Sequence, residues 1–114
     1  MTSDSIDLSV VVVVYHMPRE APRTLFSLSR EYQRNVADLR YEVLVMENPS
    51  DALLSPDLVS SFGPEFRHHR MEAPSPSPAA AINQGARLAR GKQLCLIVDG
   101  ARLVTPGLLS SLTL

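Results

Sequence analysis

The sequence predicts an α/β fold: a mainly parallel sheet held between helices in three layers. Three observations carry that prediction. Apolar runs suited to strands alternate with segments of helical spacing, in the order strand, helix, strand, helix, strand, helix, strand. The runs at residues 8–15 (LSVVVVVY) and 94–98 (LCLIV) lack polar alternation, the pattern of parallel strands covered on both faces. Two runs also finish on a carboxylate, Glu47 and Asp99, at strand ends where open parallel sheets hold ligands.

Residues 1–7 are polar and are expected to fray. The strand at 8–15 contains consecutive valines, whose branched side chains favour extended backbone. At a sheet edge such a strand would invite aggregation, which places it centrally. Pro22 suits a first helical turn. Leu25, Leu28, Tyr32 and Val36 follow at three- and four-residue spacing and predict an amphipathic helix, with Arg23, Arg30 and Arg34 on its solvated side. Residues 41–46 (YEVLVM) form the second strand, closed by the polar turn Glu47, Asn48, Pro49, Ser50 and Asp51.

Ser55 and Pro56 read as the cap and first position of a short helix over 57–62, stopped by Gly63. Residues 66–71 (FRHHRM) make a weaker third strand nearer an edge. His68 and His69 would point to opposite faces there, a poor chelate, and a solvated strand end is expected. Three prolines in residues 73–78 (APSPSP) exclude a helix or a central strand. Helical spacing returns over 79–90, where Ile82, Ala86 and Ala89 give a shallow apolar face that lets the helix sit close to the sheet. Gly91 is expected as its left-handed stop, and Thr105 and Pro106 open a last short helical turn.

A chain of 114 residues suffices for one domain with a modest core. A net charge of −1 gives no general attraction to nucleic acid or anionic lipid. Cys95 is the sole cysteine, which excludes a disulfide framework and fits a reducing, cytoplasmic setting. The apolar run at 8–14 is too short to span a bilayer. GxGxxG, GxxxxGK[ST] and GxSxG are all absent, which argues against a glycine-loop nucleotide site and a serine hydrolase. Strand-end side chains remain. Tyr15, Glu47 and Asp99 at one sheet edge could grip a base, a ribose and a metal; the competing reading has each carboxylate solvating its own turn. His16, at the end of the first strand, divides in the same way between ligand contact and a local turn role.

Taken in order, four segments resemble family 2 glycosyltransferases of the GT-A fold. LSVVVVVYHMPRE is similar to the family's opening strand. YEVLVMENPSD is similar to its second strand, usually followed by two acids and Gly-Ser. AAAINQGARLARGK is similar to the helix with Asn-x-Gly and a closing Ala-x-Gly. LCLIVDGARLVTPGLL is similar to the strand that leads into the DxD motif. The resemblance implies a Rossmann-like sheet and assigns residues 8–114 to the nucleotide-sugar-binding half of such a domain. It implies a nucleotide-diphospho-sugar donor and transfer of the sugar to a hydroxyl of a glycan, lipid or small acceptor, by direct displacement with inversion. Tyr15 would then line the base, with His16 next to it. Glu47 would meet the base or ribose with Asn48 beside it. Asn83 would hold its helix near the pocket, and Asp99 would lie near the ribose and a diphosphate-bound Mg or Mn ion.

The departures from the family pattern carry their own expectations. Val13 stands for the usual proline, Asn48 for the second acid, Pro49 for the glycine and Ala101 for the second DxD carboxylate. An alanine cannot coordinate a metal, so Arg102 is expected to pair with the diphosphate instead. The catalytic base is expected beyond Leu114, so the isolated chain should not transfer sugar unaided. Such a half-domain would expose an apolar side and self-associate. A longer parent is expected to be cytoplasmic, with room for a place at the membrane surface. Two other readings stay open: a non-catalytic GT-A-like binding module, and an unrelated small α/β nucleotide-binding or response-regulator-like domain.

Overall fold

Five consecutive valines can be buried on both sides only in the middle of a sheet, and the computed structural model places them there. It describes residues 5–72, 77–98 and 104–112. Four parallel strands run in the order β3-β2-β1-β4: β1 (Ile6–Val14), β2 (Tyr41–Glu47), β3 (Phe66–Arg70) and β4 (Gly91–Ile97). Ile6 and Asp7 belong to β1, so the ordered chain starts earlier than its polarity suggests. The weak strand β3 is an edge, as its composition implies.

Alternation sorts the central side chains onto two faces. On one, Val10, Val12, Val14, Val43 and Val45 pack against Leu25 of α1 (Ala21–Ser27), Val59 of α2 (Pro56–Ser60) and Leu109 of α4 (Leu108–Leu112). On the other, Val11, Val13, Leu44 and Met46 pack against Ala81 of α3 (Ala79–Leu88). Helices on both faces of a parallel sheet make the expected three layers. Gly85 explains how α3 comes so close. A Cβ built there would stand 2.6 Å from Val11 Cγ1 and 3.2 Å from Met46 Cγ. The helix cost of that glycine, about 1 kcal/mol against alanine, is exchanged for close contact with the sheet.

Several expectations need correction. The helix after β1 was expected to reach Val36 but stops at Ser27. Ser27 and Ser29 bond the carbonyls of Thr24 and Phe26, three residues back. Asn35 is left-handed (φ 60°), and the Arg30 guanidinium ties up the carbonyls of Val36 and Leu39. Leu28 and Val36 are buried all the same, from irregular turns rather than a helix. Arg30 is therefore a structural clamp as well as a partly solvated side chain.

Gly91 is not a left-handed stop. It opens β4, and its N–H donates to Ser9 Oγ at 2.7 Å. Nor is β4 covered on both faces. It is the second edge, and Leu94, Leu96 and Val98 are 46%, 45% and 48% exposed. The reason is the path of α3, which lies over β1 and β2 and leaves the same face of β4 open. No helix among the described residues is long and apolar enough to cross a membrane.

Candidate functional site

The chain leaves β1 toward β2 and β3 on one side, then returns by α3 to add β4 on the other. Strand order thus reverses between β1 and β4, the place where open α/β sheets form a ligand crevice at their strand ends. A pocket of about 390 Å³ opens there. Val13, Tyr15 and Met17 line it from the end of β1, Asn48 from the end of β2, Val98 from the end of β4, and Ser77 and Pro78 from the start of α3. A larger groove, about 840 Å³, opens between Asp7, Asp38 and Lys92 near the strand starts, away from any strand-end chemistry.

Two local features shape the strand-end pocket. His16 takes a left-handed backbone (φ 53°), which turns the chain out of β1 and leaves Tyr15 54% exposed at the pocket. Asn48 donates its backbone N–H to Val14 O at 2.9 Å, extending the β1–β2 ladder by one step. Its side chain is buried, and Oδ1 has no hydrogen-bond partner among the described residues. Leaving a buried acceptor unpaired costs about 1–3 kcal/mol. Asn48 also lines the pocket, which makes this acceptor the candidate atom for a ligand N–H or O–H.

Glu47 faces the other way. Neighbouring residues at a strand end alternate, so Asn48 lies on the α3 side and Glu47 on the α1–α2 side. The Glu47 side chain is fully buried. Oε1 meets His68 Nε2 at 2.8 Å and Oε2 accepts Leu54 N–H at 2.8 Å. Arg70 Nε stands 3.7 Å from Oε1. Both oxygens are thus engaged in pinning β3 and the 48–54 loop to β2, rather than turned toward the pocket. His68 is correspondingly not a solvated strand end; its side chain is 9% exposed.

The other candidate residues divide. His16 Nδ1 pairs with Asp51 Oδ1 at 3.1 Å, joining the loops after β1 and β2 in solvent. Asn83 is exposed on α3, outside the pocket lining. Asp99, Ala101 and Arg102 lie outside the described residues. The structure therefore brings Tyr15 and Asn48 together and leaves Glu47 and Asn83 apart from them.

Divalent ions need several hard oxygen ligands. Among the described residues no group of three or more His, Cys, Asp or Glu side chains could hold a metal, and the described pocket lining carries no carboxylate. Those residues alone do not fit an ion site. Cys95 offers no ready nucleophile either, since burial pushes its thiol up.

The family model for glycosyl transferase family 2 matches residues 9–113. The chain belongs to that family. Three solved structures of S. aureus TarS share the family 2 chain's fold. TarS 1–349 superposes with a TM-score of 0.80 at 20% identity, over 94% of this chain and 31% of TarS 1–349. The same TarS fragment in complex with UDP gives 0.80 at 20% identity, over 94% and 31%. Its complex with UDP-GlcNAc gives 0.77 at 21%, over 94% and 30%. The family 2 chain thus spans under a third of those neighbours. No curated protein sequence matches it.

Met17, Ser77, Pro78 and Val98 line the pocket without any motif in the sequence to mark them. Only position could have flagged Val98, one residue before Asp99. Met17 and Pro78 line the pocket because of where the backbone turns, which no motif records.

Proposed function

We propose that this chain forms the donor-nucleotide part of a family 2 glycosyltransferase, holding the nucleoside of a nucleotide-diphospho-sugar in the pocket between β1 and β4. One observation carries the reading: the buried, unpaired Oδ1 of Asn48 in a pocket at the topological switch point. A nucleobase offers a ring N–H to such an acceptor and a flat face to Tyr15. UDP and UDP-GlcNAc bind the TarS fragment, which makes a uridine donor the first to test. The sugar would pass to a hydroxyl of a glycan, lipid or small acceptor, with inversion. The leaving diphosphate would be stabilised by positive charge, from Arg102 in this reading. Asp99 would reach the ribose, and a divalent metal there is part of the same expectation. A cytoplasmic setting fits the single, half-buried Cys95.

Calorimetric titration with UDP, GDP and dTDP, with and without manganese, tests this. One nucleotide should bind, and Asn48→Ala should weaken it about tenfold, the worth of one well-buried hydrogen bond. A folded chain that binds none of the three would instead support a non-catalytic module.

The open face of β4 supports a second expectation. Leu94, Leu96 and Val98 form an uncovered apolar stripe, and the chain should self-associate through it as concentration rises. Sedimentation velocity should show that shift, and Leu96→Lys should suppress it. A concentration-independent monomer would count against it.

A further inference from the structure

At the opposite end of the sheet, where the strands start, a third pocket of about 410 Å³ carries four arginines: Arg30, Arg40, Arg67 and Arg90. Two acids share the lining, Glu42 and Glu65. The charges are not mixed evenly in depth. Side-chain exposure is 2% for Glu42 and 10% for Glu65, against 38% for Arg30, 40% for Arg67 and 60% for Arg90. Arg40 is exposed too. Solvent therefore meets guanidinium groups in front and carboxylates behind.

The donors divide in the same way. All three Arg30 nitrogens are engaged: Nε bonds Glu65 Oε2, while its two Nη groups hold the carbonyls of Val36 and Leu39. Arg67 bonds Glu42 Oε1 through Nη1, and Arg90 bonds it through Nε and Nη2. Each keeps a further Nη group outside those bonds. The Arg40 side chain has no hydrogen-bond or ion-pair partner among the described residues. The lining itself holds four cations against two anions, with one further carboxylate next to it, Asp7, whose Oδ2 accepts the Arg40 backbone N–H at 3.1 Å; positive charge stays in excess, in a chain whose net charge is −1.

We infer that this pocket is a binding site for a phosphate-type dianion, with Arg40, Arg67 and Arg90 supplying the N–H donors. Guanidinium forks match phosphate oxygens in geometry and are weakly hydrated, so they bind that group better than chloride. The site is separate from the donor pocket. β2 runs between the two ends, and its seven residues span about 20 Å at 3.3 Å per residue. The two sites therefore open at opposite ends of the strands, and this site stands whether or not the donor reading holds.

The test is titration with inorganic phosphate and pyrophosphate at constant ionic strength, followed by amide chemical shifts. Shifts should centre on residues 40–42, 65–67 and 90, and Arg40→Glu should weaken binding at least tenfold while the dichroism stays native. Arg23→Glu, the same charge change at an exposed position of α1, should leave it within twofold. UDP affinity should be the same in Arg40→Glu and the parent, which separates this site from the donor pocket. Sedimentation with phosphatidate vesicles separates the sources: Arg40-dependent pelleting identifies a lipid phosphate, and binding of the free anions alone identifies a soluble one. Equal loss in both charge variants, or no response to any phosphate probe, overturns the inference.

Discussion

Gly91→Ala is expected to cost about 3 kcal/mol of stability and to unseat the start of β4, the upper range for forcing a methyl into packed surroundings. A Cβ at Gly91 would lie 2.5 Å from Ser9 N, 2.7 Å from Leu8 C and 2.7 Å from Ser9 Oγ. Two of those atoms are backbone of the central strand, which cannot move without breaking its ladder to β2. The methyl would also press on the bond from Gly91 N–H to Ser9 Oγ. Urea unfolding should show the loss. Gly107→Ala, where a Cβ meets nothing within 4 Å, is the matched control and should stay near zero. Since Val98 walls the pocket from the end of β4, nucleotide affinity should fall with the pairing.

The second large effect belongs to Glu42, at the same joint. Oε2 accepts Ser9 Oγ–H and Arg90 N–H, each at 2.7 Å, and Oε1 accepts from the Arg67 and Arg90 side chains. Ser9 Oγ in turn accepts Gly91 N–H. One buried carboxylate thereby joins β1, β2, β3 and the entry to β4. All its bonded partners are donors, so Glu42→Gln turns a donor group toward donors. Breaking a buried pair costs about 3–5 kcal/mol; the exposed guanidinium groups recover water here, which lowers the expected cost to about 2 kcal/mol.

The pH response has a definite sign. Burial alone would raise the Glu42 pKa, but the Ser9 hydroxyl, the Arg90 N–H and the two guanidinium groups outweigh it and hold it below its usual value. As pH falls below about 5, the unfolded chain, with a glutamate pKa of about 4.3, takes up the proton first. Stability from Glu42 is therefore present above that range and is lost as pH drops through the folded-state value. The urea midpoint should fall between pH 6 and 3 in the parent and less steeply in Glu42→Gln. Parallel slopes would show that other carboxylates control acid unfolding.

Much of this architecture was legible because burial leaves plain marks on composition. Residues 10–14 had to be central, and FRHHRM had to be an edge. The helix after β1 was overextended because apolar spacing records burial, and Leu28 and Val36 are buried without helical backbone. The expectation of a covered β4 has the opposite origin: residues 94–98 are apolar, but α3 lies mainly over β1 and β2. At the site, Tyr15 stands out by its place at a strand end and Asn48 through the resemblance; the structure sets both in one pocket lining. Glu47 lies on the other face from Asn48 because a one-residue step decides which face a side chain takes, and a strand apolar on both faces does not reveal that step. The partners that occupy Glu47, namely His68 and Leu54, become visible only through the β2–β3 register.

The pocket walls come from both ends of the chain: Val13 and Tyr15 near the start, Val98 far downstream. On a ribosome the chain emerges from its N-terminus at about 5–20 residues per second. β1 and β2 can pair early, but the crevice has no second wall until α3 and β4 have left the exit tunnel. A nascent chain stalled before β4 should therefore ignore nucleotide entirely. On the proposed reading, binding would switch on in one step once β4 is free to dock, so the last wall to fold sets when the pocket first works.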